Sequence, residues 1–246
     1  MKNWKIYLLI LLTYILMQFG SIPLSKWLIN YFHEGGMTEK QASFQGVAWG
    51  LFISNLIAAP IILWLSTLNK KFWEIRKGNK KKASIGGVIL WGVLGFFMAM
   101  AGQMIAAIIE TAFGVAPGSE NTALLGEIAK ASPIIILSIV VFAPLLEEIV
   151  FRRVVFGGIY LKTNFWIAGI LSGVVFSLVH QEPQHLLIYL APGLIFAFLY
   201  SHTGRIWTSM LAHLLMNGFV TILQFNMDKL QELQDMQGAF IHLLPY

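Results

Sequence analysis

The sequence predicts an all-α fold, a polytopic transmembrane helical bundle of seven spans or eight. Three observations carry that prediction. Of 246 residues, 57% are hydrophobic and 12% charged, about half the charged fraction of a soluble domain. Mean hydropathy is +0.70. Apolar runs recur at the roughly 20-residue length that an α-helix needs to cross a bilayer. Cysteine is absent, which excludes disulfides, thiolate metal sites and a cysteine nucleophile. The net charge of +5 does not indicate nucleic acid, because the basic residues flank apolar runs, where they set topology.

The first run, 6–24, follows Lys2 and Lys5. It lacks a small-residue cleavage site and continues toward Leu28, so it reads as a span rather than a signal peptide. The second, 43–67, leads into a basic stretch from Asn69 to Lys82 that is expected to lie against anionic lipid head groups. The third covers 84–110. From Thr111 to Ser132, Gly114, Pro117 and Gly118 read as the turn chemistry of an outer loop. The fourth span is 132–150. The fifth and sixth, 165–181 and 184–201, are separated only by Gln181-Glu182-Pro183, which makes one of them a candidate half-length or re-entrant segment. The seventh is 204–226. Leu230, Leu233, Met236, Phe240 and Leu243, set among polar residues, make 227–246 an amphipathic tail on the interface. The whole chain, 1–246, is thus one integral membrane domain. It has N-terminal spans and a basic loop over 1–130 and candidate catalytic helices over 131–226.

Cytoplasmic loops retain Lys and Arg. With the N-terminus inside, thirteen of the seventeen basic residues fall on that side, and Lys26, Lys40, Lys130 and Lys229 fall on the other. The expectation is a cytoplasmic N-terminus and an outer C-terminus.

Ionisable side chains inside a span cost a few kcal/mol on insertion scales and mark functional sites. Two adjacent carboxylates, Glu147 and Glu148, end the fourth apolar run, followed by Arg152 and Arg153. At a spacing of four, Glu148 and Arg152 share a helical face and can pair, whereas Glu147 points about 100° away. One carboxylate is anchored and the other is free for proton transfer, unless both simply end a span at the interface. Phe176 and His180 lie one turn apart near the end of the fifth run. On the seventh, Arg205, Ser209, His213, Asn217 and Thr221 recur every four residues. Ser209 and Thr221 read as interhelical glue, while His213 and Asn217 could supply a proton donor and an amide donor. His185 and His202 are discounted as lone histidines near helix ends, and the segment 180–185, with its proline, is a poor metal motif.

Two chemistries fit a carboxylate, two histidines and an amide on three spans. Glu147 could deprotonate a water while His213 and Asn217 stabilise an oxyanion. Alternatively Glu147, His180 and His213 could ligate a divalent metal such as zinc. The sequence holds no HExxH, GxSG or GxGD motif, which disfavours the better-known intramembrane zinc, rhomboid and presenilin-type chemistries.

Glu147-Glu148-x-x-x-Arg152, Phe176-x-x-x-His180 and His213-x-x-x-Asn217, in that order on three apolar segments, resemble the CPBP family. That family contains the type 2 (Rce1-like) CAAX prenyl proteases and bacterial bacteriocin-processing or self-immunity enzymes. The resemblance spans about Pro133 to Asn226. It implies an intramembrane endopeptidase of a bacterial cell membrane in which Glu147 activates water with His180 beside it. His213 and Asn217 serve as oxyanion donors, and Glu148 and Arg152 as supports. The implied partners are the lipid bilayer and a membrane-associated peptide or protein substrate, with zinc an open question. Two other classes compete: a non-catalytic immunity or scaffold protein, and a small ion-coupled transporter. The span limits place Glu147 and His180 at opposite membrane depths. The expected repair is a fourth helix continuing through 151–160 and a fifth helix starting before Phe165.

Overall fold

The computed structural model describes residues 2–75, 81–227 and 229. Among these there is no β-strand. The helices are α1 (Asn3–Glu34), α2 (Glu39–Thr67), α3 (Ile85–Ala112), α4 (Glu120–Ala131), α5 (137–160), α6 (Phe165–Val179), α7 (Leu186–Thr203) and α8 (Ile206–Phe225). The expected amphipathic tail lies outside the described residues, apart from Met227 and Lys229.

α1 and α2 form an antiparallel hairpin. Thr38 caps α2 by accepting from the Gln41 N–H, and the Gln41 side chain returns to the Thr38 N–H, a reciprocal capping box. The two helices touch through glycine: a Cβ at Gly50 would stand 2.1 Å from the Ser25 hydroxyl, and one at Gly46 2.4 Å from Ile29. Small residues let membrane helices approach this closely, where no hydrophobic force drives them together. α3 packs in the same way on α7 and α8, with Gly95 against Leu199 and Gly92 against Leu211. The largest buried cluster joins α1 (Ile6, Ile10), α2 (Ile62) and the middle of α5 (Ile149, Val150, Phe151). The opposite faces carry exposed Leu16, Phe19, Trp64, Ile108 and Trp166, an outer surface suited to acyl chains rather than water.

Among the described residues five helices are long and apolar enough to cross a membrane: α1, α2, α3, α7 with its preceding 3₁₀ turn, and α8. The expected count of seven or eight is therefore not reached on length and composition. α5 falls short because it carries Glu147, Glu148, Arg152 and Arg153, and α6 because it has 15 residues, about 22 Å at ~1.5 Å per residue. Two further expectations are corrected. The stretch read as an outer loop contains α4, capped by the Ser119 hydroxyl on the Thr122 N–H. The fifth helix does not begin before Phe165, because the Asn164 side chain caps it there by accepting from the Ile167 N–H. The other half of the expected repair is present: α5 runs without interruption through 151–160, which puts Glu147 near its midpoint. Arg152 and Arg153, counted by sequence among the loop cations, are fully buried in the bundle.

Candidate active site

The site is built on α5, whose backbone is unusual. Leu137–Phe142 and Glu148–Phe156 are wound as π-helix, and Ala143–Glu147 between them as α-helix. Wide turns of this kind concentrate at functional sites. At the end of the first π stretch the register is five residues, with Ala143 N–H reaching back to the Ser138 carbonyl. The next donor in that register is residue 144, and it is proline, which has no N–H. The Ile139 carbonyl is thereby orphaned, and Asn217 of α8 donates its side-chain amide to it at 2.9 Å. One amide hydrogen of Asn217 is spent on this bond and the other is not.

One turn further along α5, Glu148 is fully buried and stands 3.3 Å from Arg152 Nε as an ion pair. The spacing of four thus places the two on one face. The Arg152 guanidinium lies over Phe176 and Phe196, 4.5 and 5.1 Å from the ring centroids, so aromatic faces supplement its single carboxylate. The other oxygen of Glu148 lies 3.0 Å from Nδ1 of His213 on α8. The Nε2 of His213 faces Glu147 Oε2 at 3.8 Å. His213 is therefore clamped edge to edge between two consecutive glutamates, and its ring stacks on Phe196 at 4.8 Å. A carboxylate on Nδ1 fixes the tautomer and leaves Nε2 for chemistry. Glu147, with 17% of its side chain exposed, is the accessible member of the pair, whereas Glu148 has none.

His180 caps the end of α6 and donates from Nδ1 to the Phe176 carbonyl at 2.8 Å, so its neutral ring presents Nε2 as an acceptor. The Phe176 ring bridges the two histidines, at 4.7 Å from His180 and 6.2 Å from His213. Glu147, Glu148, Arg152, His180 and His213 thus gather around Phe176 and the middle of α5. Asn217 stands one turn beyond His213.

Sequence reasoning missed a second polar cluster adjoining the first. Glu110, at the end of α3, is buried and accepts from the N–H groups of Leu187 and Ile188. It also lies 3.0 Å from Nδ1 of His185, the histidine discounted above. Glu182 accepts from the Ser119 and Tyr189 hydroxyls and from the Asn121 N–H. Tyr189 in turn stacks on His180 at 4.1 Å. Burial works to raise the Glu182 carboxyl, and the three donors outweigh it and hold the group below the usual carboxylate range. The signal for Glu110 was available: it is a carboxylate at the end of a predicted span, where the insertion cost that singled out Glu147 applies as well.

Among the described residues, no three His, Asp or Glu side chains are arranged to hold a metal ion. Nδ1 of His213 and Nδ1 of His180 are committed to Glu148 and to a backbone carbonyl. The described side chains form no ready three-ligand set for zinc, although Nε2 of each histidine stays open, as it does in metal-bound histidines whose Nδ1 is held by a carboxylate or a carbonyl.

The family model described as "Type II CAAX prenyl endopeptidase Rce1-like" matches residues 129–219, which hold every one of these site residues of α5, α6 and α8. A protein of Bacillus subtilis named "Putative membrane peptidase YdiL" is 43% identical over 225 residues, 89% of each chain. The "Membrane-embedded CAAX protease MroQ" of Staphylococcus aureus is 32% identical over 244 residues, 96% of each. "UPF0177 protein YxdF" of Lactococcus lactis is 31% identical over 172 residues, 67% of this chain and 88% of that one. No solved structure matches. With buried carboxylates and histidines on apolar helices and relatives of this identity over nearly their full length, the chain belongs to the Rce1-like CAAX protease family, the CPBP membrane proteases, and is an integral membrane protein.

Proposed function

We propose that the protein is an intramembrane endopeptidase that cleaves membrane-associated peptides or proteins with a water activated by Glu147. The observation that carries the reading is the clamp on His213, Nδ1 on Glu148 and Nε2 facing Glu147. Glu147 is the more exposed carboxylate and takes the proton of the attacking water, with His180 beside it as a second acceptor through Nε2. The hydroxide attacks the peptide carbonyl. The imidazolium form of His213, stabilised by Glu148, donates from Nε2 to the developing oxyanion, and the remaining amide hydrogen of Asn217 is a second donor. Collapse of the tetrahedral intermediate passes the proton held by Glu147 to the leaving amine. Glu148 and Arg152 act through His213 as positioning residues. The prenyl group named in the family description is not required by this chemistry. The reading of orientation remains the one set by basic residues: N-terminus cytoplasmic, C-terminus outside, in a bacterial cell membrane.

The experiment is proteolysis of a membrane-anchored peptide library by purified protein in detergent, comparing parent with Glu147→Ala, each with and without a chelator. Cleavage by the parent that persists with chelator and vanishes in Glu147→Ala is the expected result. Loss on chelation with recovery on zinc would overturn the metal-free step. Equal cleavage by parent and variant would overturn the role of Glu147.

A further inference from the structure

At the end of the bundle that carries the basic loop, a cavity of about 390 Å³ opens between α2, α5 and the α7–α8 turn. Its lining divides by chemistry. Lys70, Lys82 and Arg205 contribute three cations and, among the described residues that line it, no carboxylate opposes them; Trp73 and Trp207 flank them, and the remaining wall is apolar, with Leu145 and Ile149 of α5 and Met210 of α8. Such a lining suits neither a free ion, which has no use for the apolar wall, nor a neutral apolar chain, which leaves three cations without a counter-charge.

The cations are held by a fixed backbone rather than scattered on a loose surface. Arg153, fully buried on α5, donates from Nε to the Phe72 carbonyl, and its guanidinium lies between the rings of Tyr7 and Phe72 at 5.1 and 4.9 Å. This pins the segment that carries Lys70 and Trp73. On the other side, Ala83 N–H donates to the Thr203 carbonyl at 2.9 Å and Arg205 Nε to the Ala83 carbonyl at 3.2 Å. Those bonds stitch the segment of Lys82 to the α7–α8 turn, which Gly204 makes possible with φ +65°. The cradle is therefore formed before any ligand arrives.

We propose that this cavity is a binding site for an anionic phospholipid, its phosphate among Lys70, Lys82 and Arg205 and an acyl chain along Leu145, Ile149 and Met210. Three cations, two interfacial tryptophans and an apolar wall match one amphiphile with a negative head. The site differs from the diffuse attraction of a basic loop because Arg205 comes from a different part of the chain. Its apolar wall is the back of the active site: Leu145 and Ile149 bracket Glu147 and Glu148, and Met210 precedes His213 by one turn. A bound lipid would therefore touch the two helices that carry the clamp. The inference stands whether or not the protein cleaves peptides.

The test is binding of phosphatidylglycerol by the purified full chain, read by native mass spectrometry after release from phosphatidylcholine nanodiscs with and without phosphatidylglycerol. The parent is expected to retain phosphatidylglycerol in preference to phosphatidylcholine. Each of Lys70→Gln, Lys82→Gln and Arg205→Gln is expected to weaken retention about fivefold, and the triple variant roughly a hundredfold. Lys162→Gln, a cation near the same end that does not line the cavity, should have no effect. An equal loss in Lys162→Gln would reduce the effect to general surface charge and overturn the site. Retention of both lipids alike by the parent, or an undiminished preference in the triple variant, would overturn it too. Displacement by free glycerol phosphate at matched concentration would assign the cavity to a soluble phosphate ester instead of a lipid.

Discussion

Two buried polar clusters meet at His180, and they differ in what their carboxylates do. Around α5, Glu148 is saturated by Arg152 and His213, while among the described residues Glu147 makes a single ion-pair contact, to His213 Nε2 at 3.8 Å. Around the α6–α7 connection, Glu110 and Glu182 each accept three donors, mostly backbone N–H and hydroxyl groups. A carboxylate fully occupied by backbone donors is a tie between chain segments: Glu110 holds the start of α7 to α3, and Glu182 holds α4 to α7. A carboxylate left with one long contact keeps lone pairs free to accept a proton. Under the proposed function the second cluster is a clamp that holds the fold and the first a clamp that performs chemistry, and substitutions can test that separation.

The largest effect is expected at Glu147. Glu147→Gln should lower the cleavage rate by about 10²–10⁴-fold, the usual contribution of a positioned general base. The thermal midpoint should hardly move, because no buried cation depends on Glu147 alone. A variant that cuts at a tenth of the parent rate or better would move Glu147 into the structural class. Glu148→Ala should do the converse as well as harm catalysis. It strands Arg152 without its carboxylate in a bundle interior and is expected to destabilise the protein by about 3–5 kcal/mol. Glu148→Gln, which retains an acceptor for His213 Nδ1, should recover part of that loss in a chemical or thermal unfolding measurement. Equal stability of parent and Glu148→Ala would break the pairing.

At the second cluster the expected losses are smaller and confined to stability. Glu110→Ala removes the acceptor of two N–H groups and of His185, and hydrogen bonds to a charged group contribute about 1.5–3 kcal/mol. Its cleavage rate per folded molecule should stay within a few-fold of the parent. A loss like that of Glu147→Gln would merge the two clusters into one catalytic unit. Glu182 adds a pH dependence. Its folded-state pKa is depressed, so its contribution is complete above the unfolded carboxylate value of about 4.3 and is lost as pH falls through the folded value. The parent should therefore lose thermal stability in the acid range more steeply than Glu182→Gln. The difference between the two curves should flatten above that window. A constant offset from acid to neutral pH would show that Glu182 is not held as a low-pKa carboxylate.

The two clusters also show what a sequence makes legible. Glu147, Glu148, Arg152 and His213 announced themselves because charge in an apolar run is costly, and the spacing of four between Glu148 and Arg152 fixed their pairing. The same cost applies to Glu110, but at the very end of a span a carboxylate is also where an interfacial charge belongs, so its position alone does not mark it. Tyr189 and Ser119 carried no signal at all: a tyrosine in an apolar helix and a serine before a turn are ordinary, and only the fold brings both to Glu182. α4 hid among Gly114, Pro117 and Gly118, turn residues that precede it rather than interrupt it. The number of spans is not confirmed for a physical reason, since length and apolarity identify helices but not whether a charged helix such as α5 is enclosed by its neighbours. Nothing in residue types reveals a π register.

That register leads to the smallest expected effect and to the sharpest test of a single bond. Asn217 reads from sequence as a catalytic amide, and the structure also gives it a partner that exists because of Pro144. If the Ile139 carbonyl is orphaned by the missing N–H at 144, the two residues are coupled although they lie on different helices. Asn217→Ala alone should cost about 1 kcal/mol of stability, the net value of one intramolecular hydrogen bond plus part of the penalty for a bare carbonyl. In a Pro144→Ala background, residue 144 can donate to Ile139 itself, and the same Asn217→Ala substitution should then cost less. A double-mutant cycle in unfolding free energy is expected to return a coupling of about 1 kcal/mol. Zero coupling would mean that α5 does not depend on Asn217 for that carbonyl, and the effect of Asn217→Ala on cleavage would then belong to the oxyanion alone. A positive coupling together with a large loss of cleavage in both backgrounds would assign the two amide hydrogens separately, one to the helix and one to the reaction.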